Sequence, residues 1–166
     1  MKTFLISDTH FGHGNILTFK NTDGTPLRPF STVEEMDESM IDNWNKVVSA
    51  GDKVYHLGDV TFSNRLLQSV MPRLHGTKVL IKGNHDGLKP SQYQQYFKDV
   101  RACHILDKML LSHIPIHPES LARWRCNIHG HTHGNTLPDS RYICVCVEQT
   151  NYAPVDFEYI RSLYDT

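Results

Sequence analysis

The chain contains 166 residues, of which 39% are hydrophobic and 21% are charged, and this composition is typical of one globular domain. It excludes a disordered tail and a fibrous protein. The 17 lysines and arginines nearly balance the 18 aspartates and glutamates, leaving a net charge of −1 that draws the protein neither to nucleic acid nor to an anionic membrane.

Three features of the sequence indicate a cytoplasmic protein. No apolar run approaches the ~18 residues that a membrane span requires. The amino-terminal residues lack the apolar segment and the cleavage site of a signal peptide. The four cysteines form no C-x-x-C pair, and we interpret them as reduced, partly buried thiols. We therefore treat residues 1–166 as a single cytoplasmic domain with no membrane partner.

The hydrophobic pattern predicts strands that alternate with helices. Thr3–Ile6 is a short apolar run that predicts a buried first strand, and a polar loop follows it. Ser31 and Thr32 each precede a glutamate by three residues, which predicts the start of a helix that extends towards Gly51. Further strands are predicted at Lys53–Leu57, Lys78–Ile81, Val100–Leu106, Met109–Ser112, Cys126–His129 and Tyr142–Val147, and further helices at Asn64–Leu74 and Phe157–Tyr164.

This alternation favours an α/β layer architecture. The later strands follow one another with little helix between them, so that part of the sheet is expected to be mixed or antiparallel. The longest irregular segment runs from Gly12 to Pro29 and is rich in Gly, Asn, Thr and Pro. We interpret it as a flap that faces the substrate.

Five short polar clusters share one position, because each directly follows a predicted strand. They are Asp8-Thr9-His10, Gly58-Asp59, Gly83-Asn84-His85-Asp86, Ser112-His113 and Gly130-His131-Thr132-His133. In open α/β sheets, the loops at the carboxyl ends of the strands converge and form the functional sites. The neighbouring glycines let the backbone turn sharply beside a crowded centre. The clusters are therefore expected to meet.

The donors in these clusters are of the kinds that bind divalent metals. Carboxylates, imidazoles and one carboxamide, without a thiolate, suit Mn, Fe or Zn. The candidate ligands are too many for one tetrahedral ion and enough for two: Asp8, His10, Asp59, Asn84, His113, His131 and His133. Asp59 is the natural bridge, because one carboxylate can bind both ions of a pair about 3.5–4 Å apart.

Each cluster taken alone has a simpler interpretation. An Asp-x-His sequence is usually a turn, and Asn84-His85-Asp86 is typical of a polar turn whose side chains bind the backbone. The pair His131-x-His133 is equally typical of two exposed side chains. Coincidence is a poor explanation for all five clusters together, each after its own predicted strand.

The ordered set Asp-x-His, Gly-Asp, Gly-Asn-His-Asp, His and Gly-His-x-His resembles the signature of the calcineurin-like metallophosphoesterase superfamily, and it spans most of the chain. Three further segments resemble the small, single-domain bacterial and phage phosphoesterases of that superfamily: Ser7–His13, Arg28–Phe30 and Asn43–Asn45. The resemblance implies a four-layer α/β/β/α sandwich of two mixed sheets flanked by helices. It is far less specific for substrate.

The resemblance also implies a role for each ligand. Asp8, His10 and His133 would hold one ion, Asn84, His113 and His131 would hold the other, and Asp59 would be shared. His85 resembles the catalytic histidine of the family, which donates to the leaving-group or phosphoryl oxygen without binding metal. Asp86 would fix the orientation of the His85 ring. His13 and Arg28 are the candidate substrate contacts.

The implied activity is metal-dependent hydrolysis of a phosphoester, in which a hydroxide bridging two divalent ions attacks phosphorus in line. Manganese is the first choice of metal, with iron or zinc as alternatives. A small phosphodiester or nucleotide is the favoured substrate. A short chain leaves no room for a cap domain, so the site is expected to be open. The alternatives are a phosphomonoesterase, including a protein phosphatase, a nuclease, which the near-zero net charge disfavours, and a binding scaffold that retains metals without turnover.

Overall fold

The computed structural model describes residues 1–164, which form two β-sheets and the helices around them. The strands are β1 (Thr3–Ile6), β2 (Lys53–His56), β3 (Thr77–Ile81), β4 (Asp99–Arg101), β5 (Cys103–Leu106), β6 (Met109–Ser112), β7 (Asn127–His129), β8 (Tyr142–Cys144) and β9 (Val155–Asp156). The α-helices are α1 (Val33–Val47), α2 (Asn64–Val70), α3 (Pro90–Tyr93) and α4 (Phe157–Ser162). Four 3₁₀ segments lie at Gly14–Thr18, Met71–Arg73, Pro118–Arg123 and Val147–Gln149.

Both sheets are mixed. The first has the order β4-β3-β2-β1-β9, with parallel pairing from β1 to β4 and an antiparallel edge at β9. The second has the order β5-β6-β7-β8, antiparallel between β5 and β6 and parallel from there on. The predicted α/β class and the predicted mixed sheet are thereby confirmed. Parallel pairing brings the carboxyl ends of β1, β2 and β3 to one edge, and those of β6, β7 and β8 to one edge.

Side-chain alternation along the buried strands builds two cores. Phe4 and Ile6 of β1 face the helices and pack in a cluster with Met40 and Trp44 of α1. Leu5 points to the opposite face and packs in the cluster that joins the two sheets. Strands buried on both faces are expected to be continuously apolar, as the buried residues Phe4–Ile6 of β1 are. The order of layers is therefore helices α1–α3, first sheet, second sheet, and α4 packs with the cluster between the sheets.

The outer face of the second sheet is covered by irregular chain. Ile128 and Ile143 face the core between the sheets, so their neighbours Asn127 and Tyr142 point outward. Both outward side chains bind the backbone of Ile116: its amide donates to Asn127 Oδ1 at 3.0 Å, and its carbonyl accepts from Tyr142 Oη at 2.7 Å. The 3₁₀ segment Pro118–Arg123 begins two residues after Ile116.

Most predicted elements are present, with boundaries that local chemistry explains. The predicted helix starts at Val33 because Thr32 caps it: the Thr32 hydroxyl accepts from the amide of Glu35 at 3.1 Å. The helix predicted over Asn64–Leu74 ends at Val70, and a 3₁₀ turn follows, because Pro72 has no N–H to continue an α-helix. Strand β9, helix α3 and the 3₁₀ segment Pro118–Arg123 were not predicted.

The prediction of one strand over Val100–Leu106 was wrong. Those residues belong to β4 in the first sheet and β5 in the second, and Ala102 alone separates the two strands. The reason lies in the packing, because Val100 packs on the cluster under the helices and Leu106 packs on the cluster between the sheets. None of the described helices has the length and apolar character required to span a membrane.

The core between the sheets yields a stability prediction. Leu111 of β6 is fully buried there, so Leu111→Ala is expected to lower the free energy of unfolding by about 2–5 kcal/mol through lost burial and the cavity left behind. Ile105→Ala on neighbouring β5, where the side chain is 47% exposed, is the matched control and is expected to change stability by less than about 0.5 kcal/mol. Urea unfolding of both variants measures the difference, and equal losses would contradict the assigned core.

Candidate metal centre

The two sheets meet at the edge where the polar clusters lie. Ser7, which follows β1, pairs with Cys146 beyond the end of β8 in an isolated parallel bridge. Its amide donates to the carbonyl of Val145 at 2.9 Å, and its carbonyl accepts from the amide of Val147 at 3.1 Å. The strand-end loops of both sheets therefore converge on one place, and all seven predicted metal ligands are in it.

The first group of donors consists of Asp8, His10 and His133, whose candidate ligand atoms all lie within 4.8 Å of one another. Asp8 Oδ1 lies 3.6 Å from His10 Nε2 and 3.5 Å from His133 Nε2. Asp8 and His10 are buried, and His133 is partly exposed. The group is therefore open to solvent on the side of His133.

The second group consists of Asp59, His113 and His131, again within 4.8 Å of one another. Asn84 completes it, because its amide oxygen lies 2.8 Å from His113 Nε2 and 3.0 Å from His131 Nδ1. The second ring nitrogen of His113 is 2.7 Å from the carbonyl oxygen of Leu57, which fixes this Nδ1 as the donor and leaves Nε2 free to bind an ion.

Asp59 joins the two groups through a single oxygen. Its Oδ2 atom is 3.6 Å from His10 Nε2 in the first group and 3.3 Å from His113 Nε2 in the second. Its other oxygen, Oδ1, accepts the backbone amide of His85 at 2.9 Å. Asp59 therefore has the position that a bridging carboxylate requires.

The separations between the carboxylates and the imidazoles fit a shared ion better than hydrogen bonds. Two atoms that each bind one ion at 2.0–2.2 Å in tetrahedral geometry lie about 3.4 Å apart. The observed separations of 3.3–3.6 Å around Asp8 and Asp59 bracket that value and exceed ordinary hydrogen-bond lengths. Asp8 Oδ1 and both ring nitrogens of His10 are buried without a hydrogen-bond partner, a costly state that a divalent ion would relieve.

The carboxylate of Asp8 divides its two oxygens in the same way as that of Asp59. Its Oδ2 atom accepts from the Ser7 hydroxyl, from the amide of His131 at 2.8 Å and from the Cys146 thiol at 3.2 Å. Oδ1 is left for the imidazoles. One oxygen of each carboxylate is thus held by the protein, and the other points into the cluster.

Backbone conformation at the ligands is unusual. Five of them adopt left-handed φ angles between 47° and 70°: Asp8, His10, Asp59, His131 and His133. Such angles are rare outside glycine and cost about 1–3 kcal/mol where the structure enforces them. Strained backbone of this kind concentrates at functional sites, and here it occurs at five of the seven candidate ligands.

Glycines allow the loops to approach one another. Gly58 has a φ of +97°, and a Cβ atom there would lie 2.5 Å from the amide nitrogen of Gly83 in the neighbouring loop. Gly83 and Gly130 have no left-handed φ, yet the chain turns at both: the amide of Asp86 donates to the carbonyl of Gly83 at 3.4 Å, and the amide of Thr132 donates to the carbonyl of Gly130 at 2.8 Å. Their role is to leave space, because a side chain at either would collide with the carboxylate of Asp59 or Asp8.

Asp86 clamps two loops together and does not orient His85 as predicted. Its Oδ2 atom accepts from the amides of Asp59 and Gly83, each at 2.8 Å, and its Oδ1 atom accepts from the amide of Val60 at 3.0 Å. The lone pairs are therefore used by backbone amides. Burial raises the pKa of Asp86, against the effect of those amide hydrogen bonds.

Arg28 is a buried structural residue, which corrects its prediction as a substrate contact. Its side chain has no exposed surface and donates to the carbonyls of Asp8 and Thr9 and, through Nε at 2.8 Å, to the carboxylate of Glu148. The guanidinium thus fastens the end of the flap to the first ligand loop. Its donors face protein acceptors and are not available to a phosphate.

Glu148 is a residue of the site that the sequence analysis missed. Its Oε1 atom accepts from Arg28 Nε and lies 3.0 Å from His133 Nδ1, the ring nitrogen other than the Nε2 that faces Asp8. A carboxylate in this position fixes the tautomer of a ligating histidine and increases its basicity. Burial alone would lower the pKa of His133. The hydrogen bond to Glu148 and the charge of that carboxylate raise it instead.

The two remaining candidates lie at the mouth of the cluster. The ring of His85 is edge-on to that of His10, with centroids 5.8 Å apart, and His85 is solvent-exposed. The ring of His13 is 5.6 Å from that of His10 and is partly buried. Burial lowers the pKa of His13, and the neighbouring imidazole of His10 acts in the same direction.

Charge balance in the cluster favours ionised carboxylates. Burial would raise the pKa of Asp8, but hydrogen bonds and the neighbouring imidazoles hold it well below its usual range. The pKa of His113 rises despite its burial, because the carboxylates of Asp59 and Asp8 attract its proton and the carbonyl of Leu57 accepts from its ring. The site is therefore built to hold positive charge, and a divalent ion would displace such protons.

Comparison with known proteins gives relatives along nearly the whole chain. No protein-family model matches. Protein MJ1445 of Methanocaldococcus jannaschii, described as uncharacterized, is 37% identical over 178 aligned positions, which cover 99% of this chain and 92% of that protein. The gene 66 protein of Mycobacterium phage L5 is 28% identical over 79% of this chain and 77% of its own. The crystal structure of AQ665 from Aquifex aeolicus, titled a protein of unknown function, superposes with a TM-score of 0.75 at 28% identity and covers 98% of both chains.

The contact between Glu148 and His133 yields a prediction. Glu148→Gln removes the charge that supports the ligand, so affinity for a divalent ion is expected to fall by about 10- to 100-fold. Glu158→Gln, at an exposed glutamate of α4, is the matched control and should leave affinity unchanged. Titration calorimetry with Mn²⁺ measures both, and unchanged affinity in Glu148→Gln would show that Glu148 does not support His133.

Proposed function

We propose that this chain, which belongs to the same family as protein MJ1445, is a metal-dependent phosphoester hydrolase with a calcineurin-like fold and a dinuclear centre. The observation that carries the proposal is the position of Asp59 Oδ2, within 3.6 Å of His10 in one donor group and within 3.3 Å of His113 in the other. Two donor groups that share a carboxylate oxygen suit two divalent ions about 3.5–4 Å apart. The donor set of carboxylates, imidazoles and one amide favours Mn²⁺, with iron or zinc as alternatives.

A pair of divalent ions in such a site supplies an acidified water and neutralises the charge of phosphoryl oxygens. The protein holds the ligand atoms in fixed positions. Asp8 and Asp59 are each anchored through one oxygen by backbone or side-chain donors, so their metal-facing oxygens do not have to reorganise. Phosphoryl transfer asks a protein mainly for this kind of positioning and charge stabilisation.

His85 is the residue placed to act on the leaving group. Its backbone amide is fixed by Asp59 Oδ1, while its imidazole makes no hydrogen bond to any residue from 1 to 164. The ring therefore keeps both nitrogens for solvent or substrate beside the metal ligands. In this role, it donates a proton to the departing oxygen or a hydrogen bond to a phosphoryl oxygen.

Space on both sides of the ligands favours a diester over a monoester. A groove of about 520 Å³ runs along His131 and His133 and is bordered by Phe19 and Asn135. A second groove of about 480 Å³ runs along Asn84 and His113. A phosphodiester carries two organic substituents that need such space, and a monoester carries one. Both grooves are small and open, which suits a small ester or a nucleotide.

The bridging role of Asp59 can be tested directly. Chelator-treated protein is expected to lose phosphodiesterase activity and to regain it with Mn²⁺. Asp59→Asn is expected to prevent tight binding of both ions, because the bridging charge contributes to each donor group. Asp42→Asn, at an exposed aspartate of α1, is the control that should keep both ions. Elemental analysis gives the stoichiometry, and two tightly held ions in Asp59→Asn would refute the bridge.

The role of His85 is tested by comparing leaving groups. His85→Ala should keep its metal content and lose about 10²- to 10⁴-fold in kcat on a diester with a poorly leaving alkoxide. The loss should be smaller with nitrophenolate, which departs with little protonation. An equal loss on both substrates would indicate phosphoryl charge stabilisation instead.

His75 provides the control, because it is exposed and precedes β3, at the sheet edge opposite the site. His75→Ala should keep wild-type kinetics on both substrates. Wild-type kcat on both substrates in a fully metallated His85→Ala would exclude His85 from the reaction and support the binding scaffold.

A further inference from the structure

A phenylalanine ring stands among the histidines at the mouth of the metal centre. The ring of Phe62 is edge-on to His13 at 4.8 Å and to His85 at 5.1 Å between centroids, and it is tilted against His10 at 5.6 Å. It is 47% exposed and belongs to neither hydrophobic core. Packing of the fold therefore does not explain a large apolar side chain at this position.

The backbone holds Phe62 firmly. The preceding Thr61 is buried, and its hydroxyl donates to the carbonyl of Phe11 at 2.8 Å. The following Ser63 caps α2, accepting from the amide of Leu66 at 3.4 Å, and its own amide donates to Thr61 Oγ1 at 3.2 Å. Both neighbours are thus fixed by hydrogen bonds, and the ring is presented at a defined position.

A second half-exposed ring extends this surface. Phe19 follows the 3₁₀ turn Gly14–Thr18 and is 48% exposed. Its ring lies edge-on to that of His13, with centroids 6.1 Å apart. Phe19 also borders the groove that runs along His131 and His133. Phe19, His13 and Phe62 form a continuous row of rings beside the centre, here named the aromatic wall. An exposed apolar surface rimmed by polar groups in a cleft marks a ligand-binding surface.

We propose that the aromatic wall binds the leaving group of the substrate and selects esters whose leaving group carries a planar aromatic ring, such as an aryl group or a nucleobase. The inference rests on the proposed function and deepens it by naming the substrate class. The position of Phe62 against His85 carries it, because His85 is the residue that acts on the leaving-group oxygen. A planar ring can stack on, or lie edge-on to, the exposed part of Phe62, whereas a saturated ring of similar size gains only apolar contact.

The test compares two phosphonates of similar size, phenylphosphonate and cyclohexylphosphonate, by calorimetric binding to the full chain loaded with Mn²⁺. Aromatic pairing predicts that wild-type protein binds the phenyl compound about 2- to 12-fold more tightly. Phe62→Leu should abolish this ratio while leaving cyclohexylphosphonate affinity within about twofold, and Phe62→Tyr should preserve it. Tyr159→Leu, at an exposed aromatic residue of α4, is the matched control and should also preserve it.

The outcomes separate this inference from the proposed function. Equal affinities in wild-type protein, or an undiminished ratio in Phe62→Leu, would overturn the aromatic wall and leave the phosphoryl site in place. Failure of wild-type protein to bind either phosphonate would overturn the proposed function and the inference with it. In metal-free protein, the ring C–H resonances of His13 and His85 should shift in Phe62→Leu, and unchanged resonances would overturn the placement of the ring beside them.

Discussion

The burial of two carboxylates, Asp8 and Asp59, beside four imidazoles is the constraint on which the rest of the site depends. Ionised groups removed from water cost several kcal/mol each unless partners replace the lost hydration. The protein compensates one oxygen of each carboxylate, through the Ser7 hydroxyl, the Cys146 thiol and the amides of His131 and His85. It leaves the other oxygen facing imidazole nitrogens, at distances that suit a shared cation.

The topology of the two sheets brings the loops with these side chains together, and the close approach forces residues of the loops into strained backbone conformations. Because the strands are parallel, the loops that follow them lie at one edge of each sheet. The pairing of Ser7 with Cys146 joins the two sheets at that edge. The loops then approach so closely that Gly83 cannot carry a side chain, and five ligands adopt left-handed backbone. Arg28 offsets part of this strain, because its buried guanidinium binds the carbonyls of the first ligand loop and pairs with Glu148 behind His133.

The sequence predicts those parts of the site whose signals are local. A short apolar run followed by Asp-x-His or Gly-Asp predicts both a strand and candidate ligands at its end, and the side chains of all seven candidates lie close together. Glu148 lies 15 residues beyond His133 in a 3₁₀ turn, where no pattern marks it. The burial of Arg28 and the change of sheet at Ala102 depend on contacts between distant segments. Such contacts have no signature in a single sequence.

The central claim is that two divalent ions share the carboxylate of Asp59. Electron paramagnetic resonance of the chain loaded with two equivalents of Mn²⁺ tests it most directly, because spin coupling requires the ions to be within a few ångströms and joined by a bridge. The account predicts the closely spaced hyperfine lines of an exchange-coupled manganese pair, and predicts their loss in Asp59→Asn. A wild-type spectrum showing only isolated, uncoupled Mn²⁺ would contradict it.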